Sequence, residues 1–255
     1  MLSSLSTAIS GLQQFQQQID VVGNNIANVN TTGFKSARTE FEDNLSMALG
    51  GNLNMQVGSG VSTAAIASDF SSGTISSTGI GTDLAIAGQG FFTVSDPVSS
   101  TQYVTRAGEF RLDLAGYLIT NDGLRVQGSS GDLQVDPATV VSFSIDPKGF
   151  INVVKKDGTT AVAGQVQLRS FADPSQLMKV GNNRYSWTAA AGPSALAAPQ
   201  TNGLGALEVG ALELSNVNLT SEMSTLISAQ RAFQANARIV TTSDEILQEI
   251  VNLKR

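Results

Sequence analysis

The 255-residue sequence contains no cysteine and no histidine, and each absence removes a class of chemistry. Without cysteine the chain has no disulfide and no thiol nucleophile. Without histidine it lacks the commonest general base and the commonest metal ligand in proteins. Both absences weigh against a metal centre and against most nucleophilic active sites.

Charged residues are also scarce. They make up 14% of the chain, and the formal net charge is −6, whereas about a quarter of the residues in an ordinary globular domain are charged. The acidic balance leaves no positive field for nucleic acid, so we expect no nucleic-acid partner. A surface with few charges opposes self-association only weakly, which suits a subunit that packs against copies of itself.

Long apolar runs are missing as well. None approaches the ~20 residues of a membrane span, so we expect no membrane insertion. The N-terminus lacks the positive region, the continuous apolar core and the cleavage site of a secretory signal. We therefore expect a chain that either stays in the cytosol or is exported by a route that leaves it uncut.

The first 34 residues contain a single charged side chain, Asp20. Their apolar residues recur at the a and d positions of about four heptads, which predicts a helix with a narrow apolar stripe. The rest of the helix surface consists of Gln, Ser and Asn. This composition favours a coiled-coil seam over the alternative, which is an amphipathic helix packed on its own domain. Gly11 and Gly23 each cost such a helix about 1 kcal/mol relative to alanine. The candidate assembly residues here are Leu5, Leu12, Phe15, Ile19, Val22 and Ile26.

A second heptad pattern lies at the other end of the chain, in "LTSEMSTLISAQRAFQANARIVTTSDEILQEIVNLKR". Asn218 or Thr220 is a suitable N-cap for this helix. Two terminal heptad helices are natural partners for each other, so we expect the chain to leave a helical layer and return to it. The candidate assembly residues here are Leu219, Leu226, Phe233, Val240 and Leu247.

The middle of the chain predicts β-structure. Short runs such as "FFTVSD", "GYLITNDGLRVQG" and "GFINVVKKDGTTAV" are rich in β-branched and aromatic residues and are separated by turn signals. The predicted fold class is α+β, with a discontinuous terminal α-helical coiled coil and a central antiparallel all-β domain. The predicted segments are an N-terminal helix at 1–34, an extended connector at 35–80, the β domain at 81–187, a returning connector at 188–206 and a C-terminal helix at 207–255.

No catalytic, cofactor-binding or metal site is predicted. The "GQG" at 88–90 precedes a strand and lacks the third glycine of a dinucleotide loop, so a tight turn explains it better. Glu40, Glu42 and Asp43 fit a solvated face better than a metal site. Asp132 with Asp136, or Asp146 with Asp157, could be proposed as a carboxylate pair for glycoside cleavage. Nothing in the spacing of either pair selects it, because loop aspartates are ordinary turn residues.

Three stretches carry a family resemblance. "NNIANVNTTGFKSARTEF" resembles the N-terminal signature of the bacterial flagellar rod and hook axial proteins. "LAIAGQGFFTVSD" with "YVTRAGEFRLDLAGYLITNDGLRVQG" resembles their central segment, and "LELSNVNLTSEMSTLISAQRAFQANARIVTTSDEILQEIVNLKR" their C-terminal segment. The matches touch both ends and the middle of the chain.

The resemblance implies a structural, non-enzymatic subunit of a hollow helical polymer in the flagellar hook or basal body, with no cofactor. It implies that the terminal helices line the inner wall, that the tube transmits torque and conducts exported subunits, and that the chain leaves the cell uncleaved. The implied partners are further copies of this chain, other flagellar axial proteins and the flagellar type III export apparatus.

Within this family, the segments at 69–92 and 103–128 and the terminal "NLKR" favour a compact hook protein. A distal or proximal rod protein is the alternative, supported by the overall length and the single β domain. Two other classes stay open on the residues alone. One is a secreted carbohydrate-active or adhesive β protein with a defined ligand, and the other is a cap or export chaperone with one tight partner and no self-assembly.

Overall fold

Along the chain, one long helix precedes a region of strands and a second long helix follows it. The computed structural model describes residues 2–44, 47–48, 56–129 and 131–253. Helix α1 is Leu2–Ala27 and helix α2 is Leu219–Leu253. The predicted α+β class, with terminal helices and a central antiparallel region, is confirmed. Among the described helices, none has the length and apolarity needed to cross a membrane.

The strands are short. β1 to β10 are Ala37–Asp43, Met47–Ala48, Gln56–Val57, Val61–Ser68, Ile75–Ser77, Leu84–Ala87, Phe91–Ser95, Gln102–Thr105, Phe110–Leu112 and Leu118–Thr120. β11 to β20 are Arg125–Gly128, Gly131–Asp132, Val140–Ile145, Phe150–Lys155, Thr160–Gln165, Leu168–Arg169, Met178–Gly181, Arg184–Ser186, Ala206–Val209 and Ala211–Glu213. Two single-turn 3-10 helices, Pro174–Gln176 and Ala189–Ala191, lie among them.

The chain divides into two compact units. The first unit comprises residues 1–29, 36–69 and 217–255. In it, α1 packs against α2 and also against β1 and β4. β1 and β4 pair antiparallel, with an irregularity between Glu40 and Phe41. The stretch predicted as an extended connector, 35–80, therefore includes a paired β-ribbon.

The second unit comprises residues 30–35 and 70–216. Its largest sheet follows the order β17-β18-β8-β7-β11-β10-β9, with β12 beside β11 and β16 beside β7. A three-stranded sheet, β13-β14-β15, and the pairs β19-β6 and β20-β5 complete it, and every pairing is antiparallel. The main core contains Leu84, Ile86, Phe92, Val94, Phe110, Leu118, Val126, Ile151, Val166, Leu168 and Leu207.

The helix boundaries differ from the predicted segments for local reasons. Asn218 caps α2, since its Oδ1 accepts hydrogen bonds from the amides of Thr220 (3.1 Å) and Ser221 (3.3 Å). Residues 207–213, placed in the predicted C-terminal helix, instead lie in β19, a turn at Gly210 and β20. Gly33 has a φ of +66°, and a Cβ there would lie 2.5 Å from the amide nitrogen of Ala107. Gly33 is thus required by a close backbone approach beyond the end of α1, which ends at Ala27.

Candidate subunit interface

The two terminal helices form one antiparallel layer. The side-chain amide of Asn25 donates to Glu222 Oε2 at 3.3 Å. Gly11 faces Asn236, and a Cβ at Gly11 would lie 2.6 Å from the Asn236 side-chain nitrogen. The glycine that weakens α1 as an isolated helix therefore permits close approach to α2. These two contacts fix the antiparallel register of the pair.

The predicted assembly residues are mostly covered within this unit. Val22 is buried and Leu219 is exposed, whereas the remaining members are partly buried. These remaining members are Leu5, Leu12, Phe15, Ile19, Ile26, Leu226, Phe233, Val240 and Leu247. Phe15 also meets Phe41 of β1 edge to face, with 6.2 Å between ring centroids. Their role in subunit assembly stays a prediction.

A second row of α2 residues faces inward beside the predicted apolar row, and it carries no strong hydropathy signal. This row repeats every seven residues as Glu222, Ala229, Asn236 and Ser243. Ala229 and Ser243 are buried, and Glu222 and Asn236 are partly buried. A search for small or uncharged residues at heptad spacing, rather than for apolar ones, would have found most of this row.

Uncharged polar side chains of α1 form hydrogen bonds with β4 or the residues beside it in the first unit. Ser10 Oγ accepts a hydrogen bond from the Val61 amide at 3.3 Å. The Thr63 hydroxyl donates to Gln17 Oε1 at 2.8 Å and also contacts Gln14 Oε1. Neutral side chains can bond to a strand in this way without the desolvation cost of burying a charge.

Asn25 is the most buried polar side chain of α1, with 1% of its surface exposed. Its Nδ2 donates to the Ala37 carbonyl at 2.8 Å, and the Ala37 amide donates to its Oδ1 at 3.0 Å. Both backbone groups at the start of β1 are therefore satisfied by one side chain.

Asn25→Ala should destabilise the chain by about 1–3 kcal/mol, because it removes both hydrogen bonds that the buried Asn25 side chain makes with the partly buried backbone of Ala37. Urea unfolding followed by far-ultraviolet circular dichroism measures the change. Asn24→Ala is the matched control, since the adjacent Asn24 side chain is exposed. Equal effects of the two substitutions would contradict the role given to Asn25.

Apolar surface remains uncovered on α2. Among the large apolar side chains of α1 for which burial is described, only Ile9 is exposed, at 42%. α2 instead exposes Leu219, Met223, Ile227, Ile239, Ile246, Ile250 and Val251. This number of exposed large apolar side chains on one helix indicates an interaction surface.

The second unit contains a buried cluster of three charged side chains, Lys35, Arg106 and Glu213. They are 0%, 3% and 1% exposed, respectively. Lys35 Nζ lies 2.6 Å from Glu213 Oε1, and Arg106 Nη1 lies 3.1 Å from Glu213 Oε2. Burial lowers the pKa of Arg106, and the carboxylate of Glu213 opposes that shift. One carboxylate thus contacts two buried cations, one through each of its oxygens.

The same cluster ties together distant parts of the chain. Glu213 Oε1 accepts the Gly73 amide at 2.9 Å, and Arg106 Nη2 donates to the Gly88 carbonyl at 2.9 Å. The backbone of Glu213 also accepts a hydrogen bond from the Gly33 amide at 2.8 Å. The segments by which the chain enters and leaves the β region are therefore fixed side by side.

The glycines considered for dinucleotide binding and the aspartate considered for catalysis have structural roles. Gly88 and Gly90, with φ of +125° and +127°, lie in the turn between β6 and β7. Asp132 accepts hydrogen bonds from Arg125 (2.9 Å) and Gln127 (2.5 Å). Within the described ranges, no group of three or more acidic side chains is placed to hold a metal ion. A cavity of about 440 Å³ in the second unit is lined mainly by Phe70, Phe91, Phe171, Arg106 and a 3-10 turn.

Comparison with known proteins matches both ends and the middle of the chain. The family described as "Flagella basal body rod protein" matches residues 5–35. "Flagellar hook protein FlgE/F/G D1 domain" matches residues 85–161, and "Flagellar basal body rod FlgEFG protein C-terminal" matches residues 208–253. The first and last of these matches fall on α1 and α2.

Two relatives that match over the whole length carry the same description. The "Flagellar basal-body rod protein FlgG" of Bacillus subtilis (strain 168) is 44% identical over 266 residues, and the match covers 100% of both chains. The protein of the same name from Borreliella burgdorferi is 35% identical over 271 residues, again covering 100% of both chains. The "Flagellar hook protein FlgE" of Helicobacter mustelae is 45% identical over 139 residues, which cover 50% of this chain and 31% of that protein.

The chain belongs to the family of flagellar rod and hook axial proteins. It is a structural subunit of the flagellar axis and is located in the flagellum. The preference for a hook protein is not confirmed, and the rod alternative fits better, because the rod proteins match over their whole length and the hook protein over less than a third of its own.

Proposed function

We propose that this chain is a rod subunit of the flagellar basal body. The observation that carries the proposal is the match to rod proteins over 100% of both chains, at 44% and 35% identity. A hook subunit is the second candidate, since half of the chain matches a hook protein at 45% identity. Neither candidate requires a catalytic step.

The proposed mechanism is self-assembly into an open helical tube. A heterologous contact that does not close generates such a polymer from identical subunits. The paired helices α1 and α2 form the stiff layer of the tube, and the heptad residues hold that layer together. The tube transmits torque and conducts exported subunits, and its further partners are other axial proteins and the export apparatus.

Scarcity of charge on α1 supports this arrangement. Asp20 is the sole charged residue of α1. A charged side chain enclosed by neighbouring copies without a partner would be strongly unfavourable. Neutral polar side chains can instead exchange hydrogen bonds with water for hydrogen bonds with protein when the copies come together.

Labelling in purified hook–basal bodies tests the proposal. An epitope inserted in the exposed turn at Asp113-Leu114, where Leu114 is 97% exposed, should be decorated by antibody on the rod in electron micrographs. A matched epitope in a known hook subunit supplies the reference position. Decoration of the hook instead of the rod would overturn the rod assignment in favour of the second candidate.

A further inference from the structure

The cavity of about 440 Å³ lies wholly within the second unit, and it shares Arg106 with the buried charge cluster. Its volume falls within the ~300–1,000 Å³ that is typical of small-molecule sites. Residues 89–91 and 170–175 form most of the wall, and Phe70, Ser71 and Arg106 complete it. The cavity is therefore large enough for a small organic molecule.

Three phenylalanine rings form the apolar part of the wall. Phe91 and Phe171 meet edge to face, with 5.6 Å between ring centroids, and Phe70 meets Phe91 in the same way at 5.6 Å. Phe91 and Phe171 are buried, and Phe70 packs against the cluster to which they belong. Because the rings are held in place by one another, the apolar wall is already formed before a ligand enters.

Among the described residues that line the cavity, Arg106 is the one charged side chain that is buried. Its Cζ lies 5.1 Å from the centroid of the Phe91 ring. A guanidinium group has five N–H donors. Nη1 of Arg106 donates to Glu213 and Nη2 donates to the Gly88 carbonyl, whereas Nε has no hydrogen-bond partner within the described residues. Arg106 thus has donors left over for a further acceptor.

The other charged residue of the wall is Asp173, which is exposed and so lies at the open side of the cavity. Its Oδ1 accepts hydrogen bonds from the Ser175 hydroxyl at 2.6 Å and from the Ser175 amide at 3.0 Å. These bonds lower the pKa of Asp173, so it is ionised at neutral pH. A ligand with several negative charges would be repelled there, which favours a monoanion whose charge lies near Arg106.

We infer that this cavity binds a small organic acid with one carboxylate on an apolar body. The carboxylate accepts hydrogen bonds from the N–H groups of Arg106 that Glu213 and Gly88 leave unused, as guanidinium groups commonly donate to carboxylates. The apolar body packs against the phenylalanine rings. A neutral ligand would leave these donors without a charged acceptor, and an inorganic anion would leave the rings uncovered, so both fit the wall less well.

Isothermal titration calorimetry of the full chain with 3-phenylpropionate tests the site. The uncharged analogue 3-phenylpropanamide should bind about tenfold more weakly, because hydrogen bonds to a charged acceptor are stronger. Inorganic phosphate at the same concentration should not displace the acid. N-acetylphenylalanine presents the carboxylate as the C-terminus of a polypeptide does. Binding of this compound about tenfold tighter than that of 3-phenylpropionate would overturn the assignment to a free organic acid.

Arg106→Met should weaken binding of 3-phenylpropionate by about tenfold or more, because it removes the cation. The Lys35–Glu213 pair remains in this variant, and urea unfolding reports whether the fold is kept. Arg169→Met is the matched control. Arg169 also lies over an aromatic ring, Trp187, and also has an unpartnered Nε, but it does not line the cavity. Its loss should leave the affinity unchanged.

Asp173→Asn supplies a second readout that does not alter the core. Removal of this exposed carboxylate should tighten binding of 3-phenylpropionate by about two- to fivefold, and the asparagine keeps an Oδ1 acceptor for the Ser175 amide. Asp136→Asn is the control, since Asp136 is also exposed and accepts comparable bonds from Ala138 and Thr139 away from the cavity. This control should bind as the wild type does.

Three outcomes overturn the inference: no binding of 3-phenylpropionate at concentrations up to about 10 mM, equal affinity for the acid and its amide, or full affinity in a folded Arg106→Met variant. If Arg106→Met does not fold, an unchanged affinity in Asp173→Asn overturns it instead. The place of the chain on the rod or the hook is decided by the antibody label alone, so failure of this site leaves the rod assignment intact.

Discussion

Glu213→Gln should destabilise the chain by about 3–5 kcal/mol, which is the usual cost of removing one partner from a buried ion pair. The amide cannot offset the charges of Lys35 and Arg106, which are 0% and 3% exposed. Its NH₂ group would also place a donor against one of these two cationic donors. The measurement is the free energy of unfolding in urea, monitored through Trp187 fluorescence.

Two further variants make this result interpretable. Glu40→Gln removes the same charge from the exposed pair with Arg38, where the carboxylate is 45% exposed, and should change the free energy by less than about 1 kcal/mol. Lys35→Met leaves the Arg106–Glu213 pair electrically balanced, so it should cost less than Glu213→Gln. A loss for Glu213→Gln no greater than that for Glu40→Gln would show that the cluster does not stabilise the fold.

Phe233→Asp should abolish polymerisation while the β region stays folded. Phe233 is partly buried in the apolar heptad row of α2. A carboxylate there must lose its hydration when α1 packs on α2, at a cost of about 3 kcal/mol or more. We expect a reduced helical signal in circular dichroism, unchanged Trp187 emission and no tubes in electron micrographs.

Phe233→Leu and Ser224→Asp are the controls for this substitution. The first keeps an apolar side chain in the seam, and the second puts the same new charge at an exposed position of the same helix. Both should assemble. Normal tubes from Phe233→Asp would count decisively against the seam as an element of assembly.

Much of the fold could be predicted because it follows from local periodicity. The heptads of the two ends predicted helices that pair with each other, and Asn218 was one of two residues proposed as the cap of α2. The glycine-containing turns and β-branched runs predicted antiparallel strands. The β1–β4 ribbon was missed because its Ser- and Ala-rich strand, Val61–Ser68, has no apolar alternation.

The parts of the candidate site that could not be predicted depend on contacts between distant residues. Lys35 is recognisable in the sequence as the first cation, but its partner Glu213 lies 178 residues away. The sequence also does not show which apolar residues of α2 pack against α1 and which lie on its outer surface. Ile246 and Leu247 are adjacent apolar residues, yet Ile246 is 48% exposed and Leu247 is partly covered. Only the register against α1 separates them.

The hydrogen bond from the Gly33 amide to the Glu213 carbonyl has a consequence for the order of folding. Joining two chain positions so far apart carries a loop-closure entropy cost of about 4–5 kcal/mol. The folding of the β region offsets this entropy cost. α1 and α2 are then tethered by short segments, so each has a high effective concentration near the other. We therefore expect refolding in two phases, with tryptophan burial preceding the gain of helix, so that the helical layer is the last part of each molecule to become ordered.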